Sequence, residues 1–243
     1  MTEFLRNLIA PPRCVGCGER LSVFDDSCEK AFCEKCRSRW ERAKSSICSI
    51  CKRENIDCSC KIKTVKNIKT ISLIKFGEDA CCDRLIYALK RHLNERLFDF
   101  AVDELYRRIK KEEKVLVTDF SKAVYVNVPR SIKTKNSFGF DHAQILATRL
   151  ADRMSGEYCE ALLRRYGGKA QKRLGANKRQ KNVENRFIFN ESEDIKGRTV
   201  ILVDDVLTTG ATAFECVKVL RKNGAAEVIF ISIARSPKKK SKK

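Results

Sequence analysis

The sequence predicts an α/β protein: a parallel sheet flanked by helices, with a small cysteine-rich zinc-binding module at its N-terminus. Three observations carry this. From about residue 70 onward, short apolar runs rich in β-branched residues alternate with stretches of helical spacing, the pattern of a parallel sheet with crossover helices. One such run, Val200–Val203, leads into Asp204 and Asp205 and then a small, hydroxyl-rich turn, Thr208-Thr209-Gly210-Ala211-Thr212. Finally, nine of the thirteen cysteines crowd between Cys14 and Cys60.

A chain of 243 residues with 43% hydrophobic content is long enough for one α/β domain and an accessory module. The expected division is 1–62 for the cysteine module, 63–236 for the α/β domain and 237–243 for a basic disordered tail. No run of eighteen apolar residues occurs, so no membrane span is expected. The N-terminus has an early acidic residue and only a short apolar stretch, a poor secretory signal, which points to the cytoplasm. A net charge of +20 predicts attraction to phosphate, carried by a nucleic acid or by a polyphosphate ligand. Charge alone does not choose between them.

Clustered cysteines in a cytosolic chain indicate metal rather than disulfides. Cys14-x2-Cys17 and Cys33-x2-Cys36, separated by fifteen residues, have the spacing of a four-thiolate zinc site. Cys48-x2-Cys51 and Cys58-x-Cys60 could complete a second. Cys28 is left over and could replace one of these ligands, and an iron–sulfur cluster would use the same thiolates. The two histidines, His92 and His142, lie outside the module, so both sites would be all-cysteine. Four thiolates leave no open position for water, which makes the metal structural. Cys81, Cys82, Cys159 and Cys216 read as small apolar core or surface residues.

Along the remaining chain, Ile71–Phe76 reads as a strand and Cys82–Leu93 as a helix with Leu85, Ile86, Leu89 and Leu93 on one face. A second helix, about Leu97–Lys110, carries Phe98, Ala101, Val102, Leu105 and Ile109. Ala123–Val128 is the next strand, ended by Pro129. Arg130–Phe140 is basic, polar and contains glycine, a candidate mobile loop from which Arg130, Lys133 and Lys135 could meet a pyrophosphate. Asp141 then opens a helix with Ala143, Leu146, Ala147, Leu150 and Met154 in register. Residues 164–186 are strongly basic and read as a long loop or exposed helix. Phe187–Phe189 and Glu227–Ile233 are further strands.

The chemistry concentrates at Val200–Thr212. A buried strand, two carboxylates, a hydroxyl-glycine turn and a helix start together describe a cradle for a phosphorylated sugar. Helix N–H groups hold the anion, and the carboxylates accept from sugar hydroxyls. Adjacent carboxylates repel each other, so a strand end is a costly place for them without a ligand or metal.

VILVDDVLTTGAT resembles the ribose-phosphate fingerprint of type I phosphoribosyltransferases, which bind phosphoribosyl pyrophosphate. Over nearly its full length the chain resembles the ComF family of competence-associated, phosphoribosyltransferase-like proteins. The likeness takes in the cysteine knuckles, DRLIYALK (83–90), NVPRS (127–131), GFDHAQILA (139–147), residues 163–187, the fingerprint and GAAEV (224–228). The resemblance implies a type I phosphoribosyltransferase-like sheet. It implies that Asp204 and Asp205 bind ribose hydroxyls, directly or through Mg²⁺, and that Thr208, Thr209, Gly210, Ala211 and Thr212 bind the 5′-phosphate. It also implies a setting in DNA uptake, with single-stranded DNA and competence or recombination proteins as partners. In the later basic segment Arg165, Gln171, Leu174, Arg179, Asn182 and Phe187 match, with Gly168 at a usual threonine. Where the family has Arg-Gly-Phe-Asn-Gln-Ala, this chain has Phe138-Gly139-Phe140-Asp141-His142-Ala143, so the arginine, asparagine and glutamine are replaced.

Overall fold

A computed structural model of the chain describes residues 11–22, 31–45, 68–116, 118–165 and 186–236. Its centre is a five-stranded parallel sheet. The strands are β1 (Lys69–Lys75), β2 (Val124–Asn127), β3 (Glu157–Tyr158), β6 (Thr199–Leu207) and β7 (Glu227–Arg235), in the order β1-β7-β6-β2-β3. A separate antiparallel pair, β4 (Leu162–Arg164) with β5 (Phe187–Phe189), lies to one side. The helices are α1 (Glu34–Lys44), α2 (Ala80–Arg91), α3 (Glu95–Leu116), α4 (Ile132–Phe138), α5 (His142–Met154) and α6 (Ala211–Lys222).

The apolar runs are buried on both faces because the strand period is two. In β6, Ile201 and Val203 join the core beneath α2, α3 and α5, while Val200 and Leu202 join the core beneath α6 and the β4–β5 pair. β7 divides likewise, with Ile229 and Ile231 on one side and Val228 and Phe230 on the other. Asp79 starts α2 by accepting from the N–H groups of Cys81 and Cys82, and Asp141 caps α5 through Ala143 and Gln144.

Three expectations are corrected. The strand at Val200 does not stop before the carboxylates: β6 continues through Asp204 and Asp205 to Leu207, because register with β7 holds as far as Leu207↔Arg235. The presumed loop Arg130–Phe140 contains the helix α4. Ser131 accepts from the Thr134 N–H at its start, and Gly139 takes a left-handed φ of 76° at its end, so both ends have caps. Leu93 falls beyond α2 and is 59% exposed, so it does not belong to the core stripe. Among the described residues, no helix is long and apolar enough to cross a membrane.

The N-terminal segment packs onto this layer rather than hanging from it. Phe32 and Trp40 join the same apolar core as α3. The Trp40 ring lies 5.5 Å from Phe32 and 5.6 Å from Phe100 of α3. Arg39 of α1 grips the Asp79 carboxylate through two bonds of 2.9 Å. Beneath them, Glu104 of α3 is enclosed and accepts from Trp40 Nε1 at 2.8 Å, Lys44 Nζ at 2.6 Å and Arg37 Nη2 at 2.9 Å.

Candidate functional site

Parallel sheets present loops and helix starts at the carboxyl ends of their strands, where ligands bind. Here β6 and β2 are neighbours, and their carboxyl ends lead into the Thr208–Gly210 turn and the Arg130 segment. Period two places Asp205 on the face of Ile201 and Val203, toward α2 and α5. Its Oδ2 lies 2.9 Å from Lys90 Nζ at the end of α2 and 2.8 Å from His142 Nε2 at the start of α5. Asp204 is half-buried beside it and accepts the Asp205 N–H at 2.8 Å.

The two carboxyls are driven apart in acidity. Burial works against the charge of Asp205, but His142 and Lys90 outweigh it and hold the carboxyl far below its ordinary range. Burial and the neighbouring Asp205 charge push Asp204 well up. Asp204 therefore weakens the fold at any pH above the ordinary carboxylate range, near 4. Asp204→Asn is expected to stabilise the protein at neutral pH by about 1 kcal/mol, or ~2–4 °C. The gain should shrink as the pH falls toward 4, as read by thermal melts across that range. A variant less stable than its parent at pH 7.5 would show that the charge is not strained.

Thr208 and Thr209 are exposed, Gly210 is buried with a left-handed φ of 79°, and Ala211 and Thr212 form the first turn of α6. Gly210 occupies the cap position and offers no side chain to the helix's first N–H groups. Thr209 Oγ1 accepts only weakly, from Ala211 at 3.4 Å. Such an uncapped start suits an oxyanion. Arg130 follows β2; its N–H donates to Asp141 Oδ2 at 3.1 Å and its guanidinium to the Lys90 carbonyl at 3.3 Å, over the Phe138 ring. Lys133 lies in α4. Lys90 and His142, which flank the acidic pair, were not singled out from sequence. Lys90 ends an amphipathic helix like many surface lysines, and His142 stood out as a histidine outside the cysteine module and as a departure from the family pattern, without a role at the acidic pair.

Cys14, Cys17, Cys33 and Cys36 bring their sulfurs within 4.8 Å of one another. Cys17 Sγ and Cys33 Sγ are 3.6 Å apart, close to the ~3.8 Å edge of a tetrahedron with 2.3 Å metal–sulfur bonds. Burial alone would raise the Cys14 thiol, but N–H groups led by that of Cys33, at 3.2 Å, bring it down to about 7. A Cβ at Gly16 would collide with the sulfur of Cys81, so this knuckle needs glycine against the start of α2. This cluster can hold a metal ion. Cys81 and Cys82, with Cys159 and Cys216, are buried. Cys28, Cys48, Cys51, Cys58 and Cys60 lie outside the described residues, as do residues 166–185 and the tail 237–243.

The sheet with its acidic pair and uncapped helix start defines a phosphoribosyltransferase-type domain. Residues 140–243 match the family described as "Phosphoribosyl transferase domain". Competence protein ComFC of Bacillus subtilis (strain 168) is 27% identical over 220 residues, 86% of this chain and 85% of that protein. DNA utilization protein YhgH of Escherichia coli (strain K12) is 34% identical over 99 residues, 40% of this chain and 43% of that protein. The match thus spans less than half the length of YhgH. Among solved structures, a purine phosphoribosyltransferase from Pyrococcus horikoshii aligns with a TM-score of 0.38 at 18% identity, over 59% of this chain and 75% of that one. The chain is thus similar to ComF-type competence proteins along most of its length, with a phosphoribosyltransferase domain match over residues 140–243.

Proposed function

We propose that the chain binds phosphoribosyl pyrophosphate, or another ribose 5-phosphate group, at the carboxyl end of β6. The observation that carries this is the continuity of Asp204 and Asp205 with the uncapped start of α6 at Gly210. Asp204 and Asp205 take the ribose hydroxyls. Thr208, Thr209, Gly210, Ala211 and Thr212 surround the 5′-phosphate, and Arg130 and Lys133 face the diphosphate. Mg²⁺, expected with this ligand, would neutralise charge on the diphosphate and so ease departure of pyrophosphate. Transfer would break the bond between the anomeric carbon and the diphosphate oxygen and form one to an acceptor, which loses a proton. Most of the catalysis would be positioning and charge stabilisation.

A second reading, binding without turnover, is favoured by Phe138, which replaces the arginine of the family pattern with an apolar ring under Arg130. In that case the protein would be a single-stranded DNA-binding competence protein whose sugar-phosphate site is a sensor or a DNA contact. Both readings put it in the cytoplasm during DNA uptake, alongside competence or recombination proteins. The names of its relatives and its net charge of +20 support that setting. The proposed metal at Cys14, Cys17, Cys33 and Cys36 is Zn²⁺, with Cys48, Cys51, Cys58 and Cys60 a proposed second site.

Incubation with phosphoribosyl pyrophosphate, Mg²⁺ and a panel of bases separates the readings. Release of pyrophosphate with one acceptor supports transfer, whereas a ligand-dependent melting shift with none supports binding alone. Asp204→Asn combined with Asp205→Asn is expected to abolish the shift; a retained shift would overturn the assignment of the cradle.

A further inference from the structure

His142 brings a nitrogen donor to an otherwise oxygen-only site. It is the first residue of α5, and its backbone is fixed from both sides. Asp141 caps the helix through Ala143 and Gln144 and also accepts from the Arg130 N–H at 3.1 Å, which ties α5 to the end of β2. The imidazole is 4% exposed, yet among the described residues neither ring nitrogen has a hydrogen-bond partner. Its Nε2 stands 2.8 Å from Asp205 Oδ2, at ion-pair distance but not aligned as a hydrogen bond, and that oxygen also lacks a hydrogen-bond partner. One atom each from His142, Asp204 and Asp205 lies within 4.8 Å of the other two. Buried polar groups are ordinarily satisfied. A buried imidazole without a hydrogen-bond partner converges with two carboxylates, a donor set that a metal cation fits.

The donor set disagrees with Mg²⁺. That ion keeps its waters and takes oxygen ligands, whereas imidazole with carboxylates suits first-row transition ions from Mn²⁺ to Zn²⁺. We propose that His142, Asp204 and Asp205 form a binding site for a divalent transition ion, which they hold in preference to Mg²⁺. The proposal takes its location from the cradle reading above but not its chemistry. Lys90 is the resident cation, with Nζ 2.9 Å from Asp205 Oδ2 and a side chain 35% exposed. An entering ion displaces that ammonium toward solvent and takes over its charge compensation. His142 stands where the family pattern has glutamine, so the nitrogen ligand is a property of this chain.

The test uses the full-length protein with Zn²⁺ filling its thiolates, so that added Mn²⁺ meets only nitrogen and oxygen donors. Titration followed by electron paramagnetic resonance should show one Mn²⁺ held per chain against a large molar excess of Mg²⁺. The bound ion should carry spin-echo modulation from a directly coordinated nitrogen. His142→Gln should weaken Mn²⁺ binding by about tenfold or more, and Lys90→Gln, which removes the competing charge, should tighten it. Absence of stoichiometric Mn²⁺, displacement by equimolar Mg²⁺, or a bound ion without nitrogen modulation would overturn the proposal. The cradle reading is scored separately, by the melting shift with phosphoribosyl pyrophosphate. Mn²⁺ binding without that shift would retire the cradle and support the metal site.

Discussion

Replacing Cys36 with serine is expected to release Trp40 from the core. The two residues sit one turn apart on α1 and are 3% and 0% exposed. An eleven-residue helix is too short to persist alone, and Cys33 at its cap position offers no side-chain hydrogen bond. On the proposed Zn²⁺ reading, α1 is held by thiolates at its start and by its tryptophan in the middle, beside the ion pairs of Arg37, Arg39 and Lys44. Structural zinc in small modules binds with an apparent ~10–16 kcal/mol that is coupled to folding, so losing one ligand loses most of the restraint. The chain has a single tryptophan, which makes its fluorescence a direct reading of this helix. Emission should shift to the red in Cys36→Ser and in protein stripped by a strong chelator, and zinc should restore only the parent. Metal analysis counts the sites: two zinc ions per chain would support Cys48, Cys51, Cys58 and Cys60 as a second set, and one would remove it. An unshifted emission in the stripped protein would show that packing alone holds α1.

The second large effect lies across the same seam. Glu104→Ala should destabilise the fold by about 2–4 kcal/mol, because truncating one partner strands the others. The Glu104 side chain is 1% exposed and meets Arg37, Lys44 and Arg107. Those cations are 33%, 26% and 59% exposed and can turn to water, which keeps the cost below that of a fully buried pair. The Trp40 N–H cannot. Glu104→Gln, whose amide oxygen still accepts from it, should cost less. Burial favours the protonated carboxyl, but Lys44, Trp40 and Arg37 outweigh it and hold Glu104 below its ordinary value. Its contribution is thus complete above the unfolded value, near 4.3, and disappears as the pH falls through the lower folded value. The melting difference between Glu104→Ala and its parent should be constant from neutral pH to about 5 and close in stronger acid. A difference independent of pH would assign the loss to packing instead.

What could be read from the sequence was whatever depends on neighbours along the chain. Val200–Val203 and Glu227–Ile233 are apolar runs flanked by turn residues, and both are central strands. The cap at Asp141, read as a helix start, acts on N–H groups two and three residues away. The extent of β6 escaped because two carboxylates look like a strand's end, while the ladder to β7 carries the strand past them. The basic composition of Arg130–Phe140 concealed the caps at Ser131 and Gly139. Glu104 was invisible for another reason: it interrupts the apolar stripe of α3, and its partners Trp40 and Lys44 lie 64 and 60 residues away in sequence. The thiol spacing announced one cysteine cluster able to hold a metal ion, but nothing local tells that His142 reaches Asp205 across 63 positions. Sites assembled from distant strand ends are legible only once the sheet order is known.

That sheet order has a consequence for how the chain is made. Among the described residues, β1 has one partner in the sheet, β7, and Ser72 meets Ser232 through a buried bond of 2.8 Å across 160 residues. A ribosome delivers β1 first and β7 last among the strands, so the earliest strand leaves the exit tunnel without its neighbour. Pairing over so long a separation is slow, and an unpaired apolar edge invites aggregation. Until Arg235 has emerged, the growing polypeptide holds β1 as an open edge, and the sheet cannot close.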